Sequence, residues 1–140
     1  MKLAVIRDYL ADVLPAQDIW FGVAKMDARK SMALCLYGSP VRMEAGVKIG
    51  GVDCTGYRLK RMMLVLRGGT NAAETEWLAQ EIHGGLTRER VELDGTTGFM
   101  RALDDEPFAL GTDAFGVWEF RMDFELYYEV NNDQKEEGFE

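Results

Sequence analysis

The stretch from Trp118 to Val130 constrains the fold most. Trp118, Phe120, Met122, Phe124, Leu126, Tyr128 and Val130 take every second position. Glu119, Arg121, Asp123, Glu125, Tyr127 and Glu129 fill the gaps. Successive side chains of a strand point to opposite faces, so a period of two predicts one long strand with an apolar and a polar face. A helix would scatter the same residues around its circumference. A strand with one packed face and one wet face belongs in an antiparallel sheet.

The rest of the chain supplies partners for that strand. Leu3, Ile6, Leu10, Val13 and Leu14 recur at helical spacing and predict a helix over 2–14, stopped by Pro15. Residues 19–24 and 32–37 are runs of β-forming or apolar side chains separated by a polar turn, which predicts a hairpin. Gly38 to Gly56 is glycine-rich and reads as a loop or an irregular arm. Residues 57–67 predict a strand that enters the core towards its end. Gly68 and Gly69 break it.

Asn71 with Glu74 three residues on predicts a helix start, and Gly84-Gly85 its end, with Trp77, Leu78 and Ile82 as the apolar stripe. Residues 91–103 predict one strand, or two short ones split at Gly95. Residues 104–107 form a turn, 108–110 a short extended piece, and 111–116 another turn. The expected class is α+β: a mainly antiparallel sheet backed by two helices, ending in the long amphipathic strand.

A chain of 140 residues, 47% of them hydrophobic and 29% charged, suits one domain with a real core. The expected division is a single domain over 1–130 and an acidic tail over 131–140. No apolar run is long enough to span a bilayer, and Arg7 and Asp8 interrupt the apolar start that a secretory signal would need. Cys35 and Cys54 lie too far apart in sequence for a CxxC pair and read as reduced, buried thiols.

The net charge of −8 is unevenly spread. Residues 25–67 hold nine bases against three acids, whereas residues 68–140 hold five bases against eighteen acids. An acidic chain does not suit tight binding to a phosphate backbone. A basic middle and an acidic C-terminal half could form complementary faces of neighbouring subunits. The other outcome is that folding interleaves the two and the charges solvate one domain.

Residues suited to catalysis are sparse. His83, the only histidine, falls at the end of the second helix, where it suits the negative end of the dipole. One histidine and two scattered cysteines do not make a zinc site, and Asp104, Asp105 and Glu106 read as a solvated turn rather than a metal site. The chain has no GxGxxG after a strand, no GxxxxGK[ST] and no GxSxG elbow. Glu119, Asp123 and Glu125 share a strand face, which a solvated outer face explains as well as paired-carboxylate chemistry does.

Four segments after the N-terminal helix carry a resemblance. They are "IWFG" at 19–22, "MALCLYG" at 32–38, "GYRLKRMMLVLRGGTNAAETEWLAQEI" at 56–82, and "PFALGTDAFGVWEFRMDFELYYE" at 107–129. In this order they resemble the small minor capsid proteins of tailed bacteriophages and prophages, a group similar to the tail terminator, or tail completion, proteins. The resemblance spans Ile6 to Glu129. Its most specific piece is Pro107 to Tyr128, a proline, a Gly-Thr-Asp turn and a long closing strand.

The resemblance implies a structural part and not an enzyme. Such proteins form a ring, commonly hexameric, that caps the tail tube and joins it to the head–tail connector. The implied partners are other copies of the chain, the tail tube protein and the connector protein, with no membrane and no sequence-specific nucleic acid. The implied location is the head–tail junction of the virion, after synthesis in the bacterial cytoplasm. No cofactor, metal or catalytic residue is implied.

A cyclic ring needs heterologous contacts between unlike patches. The candidate interface residues are Arg42, Lys48, Arg58, Lys60 and Arg61 from the basic middle, and Glu119, Asp123 and Glu125 from the closing strand. Residues 41–56 are a candidate docking arm. An acidic lumen would let DNA slide without sticking, and the polar face of the last strand or the tail beyond Val130 could line it. Two alternatives stand beside this expectation. One is another head–tail joining part, such as a stopper below the portal. The other is a small α+β enzyme or ligand-binding domain with its site in a sheet–helix cleft.

Overall fold

The computed structural model describes residues 1–27, 29–30, 32–39 and 57–130. The element order is α1 (Leu3–Val13), β1 (Trp20–Val23), β2 (Met32–Gly38), β3 (Tyr57–Gly68), α2 (Ala72–Gly84), β4 (Arg88–Leu93), β5 (Thr96–Ala102), β6 (Phe108–Thr112) and β7 (Trp118–Glu129). The strands form one seven-stranded sheet in the order β1-β2-β3-β7-β5-β4, with β6 also paired to β7. Every pairing is antiparallel except β1 with β2, so the class is α+β.

β3 and β7 run side by side in the middle of the sheet, from Tyr57 opposite Glu129 to Arg67 opposite Glu119. The other edge of β7 is shared: β5 takes its C-terminal half and β6 its N-terminal half. β4 and β5 form a hairpin closed by Asp94 and Gly95, both at positive φ (48° and 76°), the geometry of a type I′ turn.

Even-numbered residues of β3 and β7 share one face. There Met62, Leu64, Leu66, Met122, Phe124 and Leu126 are fully or almost fully buried. Ile6 and Leu10 of α1, and Ala79 and Ile82 of α2, belong to the same core. Both helices therefore lie on this face, and among the described residues the odd-numbered face has no helix over it.

Several expectations are revised. The segments around β1 and β2 do not form a hairpin; they pair in parallel, Trp20 beside Ala33 and Val23 beside Leu36. A tight turn would force antiparallel pairing. Residues 24–31 instead span up to about 26 Å at 3.3 Å per residue, enough to carry the chain back along a four-residue strand. Ala24 leaves β1 in the left-handed region (φ 62°) and donates its amide to the Leu36 carbonyl.

The inner face of α2 is Thr75, Ala79 and Ile82, not a stripe led by Trp77, which is 64% exposed. The helix start lies so close to β3 that a Cβ at Gly68 would collide with Thr75. Only a small residue fits that contact, so size misleads where distance decides. The Asn71 cap forms as expected, its side chain accepting the Glu74 amide at 3.1 Å. The outer face of β7 is not wet: Glu125 is buried, and Glu119, Arg121 and Asp123 are half-buried. The acidic tail over 131–140, Cys54 and the arm over 41–56 lie outside the described residues.

Candidate functional site

Register decides where the candidate residues go. Arg61, Glu119, Asp123 and Glu125 have odd numbers on β3 and β7 and share the helix-free face. Arg58 and Lys60 have even numbers and lie at the end of the helix-covered face, opposite Tyr128 and Leu126. Arg42 and Lys48 lie outside the described residues.

The carboxylates of the helix-free face are engaged within the chain. Glu125, 1% exposed, accepts from Arg101 Nε at 2.6 Å, from Arg61 at 3.5 Å and from the Tyr127 hydroxyl at 3.2 Å. This carboxylate raises the Arg101 pKa, first by hydrogen bonding and then by charge. Asp123 holds Arg121 in a two-pronged pair at 2.9 and 3.1 Å, which raises the guanidinium pKa in the same way.

Arg67, 6% exposed, reaches three segments: the Lys30 carbonyl at 3.1 Å, Asp113 at 2.8 Å and Glu119 at 3.7 Å. The Asp113 carboxyl also accepts the amides of Val117 and Phe115. These bonds, Val117 first, hold its pKa below the usual carboxylate value, and Arg67 adds to the effect. The result is a charge ladder across β3, β7 and β5 rather than an acidic strip.

Sequence reasoning passed over Arg67, Arg101 and Arg121. The signal for Arg67 was present: alternation on 57–67 places Arg61 and Arg67 on one face, facing acids of the same parity on β7.

Aromatic groups flank the ladder. Phe99 stacks on Tyr127 with centroids 4.8 Å apart, and Tyr57 tilts against Phe99 at 6.2 Å. Tyr57 and Phe99 remain partly exposed. At the other end of the face, Trp20 lies over Gly22 and is itself partly exposed. Tyr37 has its hydroxyl pKa pushed up to about 12, chiefly by burial and then by a hydrogen bond with the Cys35 thiol.

The rim beside β6 is the third feature. Phe108 is 65% exposed and Leu110 49%, and β6 contains no charged residue. Together with Asp104, Glu106, Pro107, Arg121 and Asp123 they line an open cleft of about 470 Å³. This cleft lies between a turn and a strand, not between the sheet and a helix. His83 lies in the last turn of α2, where the sequence places it. Its Nε2 donates to the Asp104 carbonyl at 2.8 Å and ties the end of α2 to the β5–β6 turn.

Among the described residues, no group of three or more His, Cys, Asp or Glu side chains is placed to hold a metal ion, and no helix is long and apolar enough to cross a membrane. No family model matches this chain, and a search of curated proteins finds no match.

Proposed function

We propose that this chain is a structural assembly protein of a tailed bacteriophage or prophage, of the tail terminator type. In this reading copies of it form a ring that closes the tail tube and meets the head–tail connector. The phage assignment rests on the ordered sequence segments ending in Pro107–Glu129. The observation that carries the assembly part is the helix-free sheet face. A sheet needs a packed layer on its apolar surface. Here one face has two helices, while the other presents Trp20, Tyr57, Phe99 and Phe108 partly exposed, with no helix of the described residues over them. Several exposed apolar groups on one sheet face suit contact with another protein, although exposed Trp77 on α2 and Met32 lie outside that face.

Electron microscopy of particles made without the gene tests the reading. The expected result is full heads apart from tails of uncontrolled length. Normally joined particles would refute it. Tails of regular length beside unjoined heads would favour the stopper role, because length control belongs to the part that caps the tube.

A further inference from the structure

We propose that the outer edge of β6 takes up an extended segment of a different protein, one that alternates apolar residues and ends in Lys or Arg. The segment adds a further strand to the sheet. The inference goes beyond the assembly reading and does not depend on it.

Among the described residues β1, β4 and β6 each have a strand partner on one side only. An open edge carries unpaired amides and carbonyls, and natural proteins usually keep it short, charge it or cover it. Two of the three edges are guarded in these ways. β4 holds Arg88, Glu89, Arg90 and Glu92 within six residues. β1 has only four residues, and Arg7 of α1 donates to its Phe21 carbonyl at 2.9 Å.

β6 differs from both. It contains no charged residue, and Phe108, Ala109 and Leu110 are exposed in succession. Neighbouring side chains of a strand point to opposite faces, so β6 is uncovered on both. Pro107 precedes the strand and a bulge falls between Ala109 and Gly111, so the usable edge is short. A segment added there forms few backbone bonds and needs side-chain contacts for the rest of its affinity.

The surroundings specify those contacts. Phe108 and Leu110 line the open cleft with Pro107, while Asp104, Glu106, Arg121 and Asp123 supply its charge. Arg121 is already held by Asp123 at 2.9 and 3.1 Å. Asp104 and Glu106 therefore leave the cleft negative, and Asp105 beside them is exposed. The complement is a segment with apolar side chains for Phe108 and Leu110 and a cation for the acids.

Direction follows from the sheet, in which every pairing but β1 with β2 is antiparallel. An antiparallel addition places its C-terminal end beside Phe108 and the acids, so the cation belongs at that end. A second β6 paired in this way would bring Thr112 and Asp113 there instead, with no cation.

A peptide titration on the purified full chain tests this. The probe is a synthetic peptide of about ten residues, alternating threonine and valine and ending in a pair of lysines. Fluorescence anisotropy of the labelled peptide at low salt should give a Kd of roughly 100 µM or tighter. A version ending in a pair of glutamates should bind at least about tenfold more weakly. Methylating the nitrogen of every second amide, in either of the two registers, should weaken binding about tenfold in at least one of them.

Two variants of the chain, Leu110→Lys and the pair Asp105→Lys with Glu106→Lys, should each bind the lysine peptide at least about tenfold more weakly. Circular dichroism checks that each folds. Hydrogen exchange should slow over residues 108–112 when the peptide is added, and not over 88–93. No binding up to roughly 1 mM overturns the proposal. So does binding that ignores the end charge, equal binding by both methylated versions, or protection that falls on β4 instead. Self-association of the chain that Leu110→Lys abolishes also overturns it, by giving the edge to a second copy. Failure of the phage role is read separately, from the particles made without the gene.

Discussion

Replacing Glu125 by alanine should destabilise the folded monomer by about 2–3 kcal/mol. The figure follows from its surroundings. The carboxylate is 1% exposed and holds a 2.6 Å bond from Arg101 and a 3.2 Å bond from Tyr127, with Arg61 at 3.5 Å. A charge-assisted hydrogen bond contributes about 1.5–3 kcal/mol and a neutral donor about 1 kcal/mol. Removing one partner of a fully buried ion pair costs about 3–5 kcal/mol. That upper range does not apply, because the Arg101 side chain is 59% exposed and water can solvate the guanidinium it leaves behind.

Urea unfolding followed by tryptophan fluorescence gives the stability difference, and a thermal scan should fall by about 6–12 °C. A cycle with Arg101→Ala separates the pair from the rest and should return a coupling of about 1 kcal/mol, since one partner is screened. A change below about 0.5 kcal/mol, with no coupling, would refute the reasoning. It would mean that Glu125 is held by shape alone and that its charge is available to a partner after all.

Two further perturbations probe the same sheet. Gly98→Ala should cost at least about 3 kcal/mol, because a Cβ there would run into the Tyr127 carbonyl on the neighbouring strand; a variant with a wild-type urea midpoint would contradict the β5–β7 register. Asp113→Asn should destabilise the chain at about pH 7 but by progressively less in acid. The folded-state pKa of Asp113 is depressed, so its contribution is present above the ordinary value of 3.8 and is lost as pH falls through the lower folded value. Unfolding curves at several pH values check this, and a gap that stays constant down to about pH 2 would contradict it.

Much of the fold was legible because local signals and tertiary packing agree. Pro15 and the spacing of Ile6 and Leu10 gave α1, Asn71 gave the start of α2, and of the two readings of 91–103 the split at Gly95 is the one the structure takes, with β4 starting earlier, at Arg88. The parallel pairing of β1 and β2 was not legible. Nothing in either strand encodes its neighbour's direction, and a connection of intermediate length permits both. The inward side of α2 was misread because Trp77 is the largest apolar residue in the helix. The close approach of Thr75 to Gly68 sets that side instead, and the approach is a property of two segments together.

The polar face of β7 shows the limit most clearly. Period-two alternation identifies a face that is not apolar, and it says nothing about whether water or other charges meet it. Glu119, Asp123 and Glu125 lie beside Arg67, Arg121, Arg61 and Arg101, three of which come from β3 and β5. The segment totals that suggested a basic half and an acidic half count these residues as free, although the sheet brings them together in pairs. Glu119, Asp123 and Glu125 are therefore a weak choice for lining a repulsive channel, since each already faces a cation at short range and its field beyond about 10 Å is largely cancelled and screened. The charge that remains after pairing includes the exposed acids Glu89, Asp94, Asp104, Asp105, Glu106 and Glu129, none of which forms an ion pair among the described residues. A sum over sequence could not find that remainder, because it depends on which strands are neighbours.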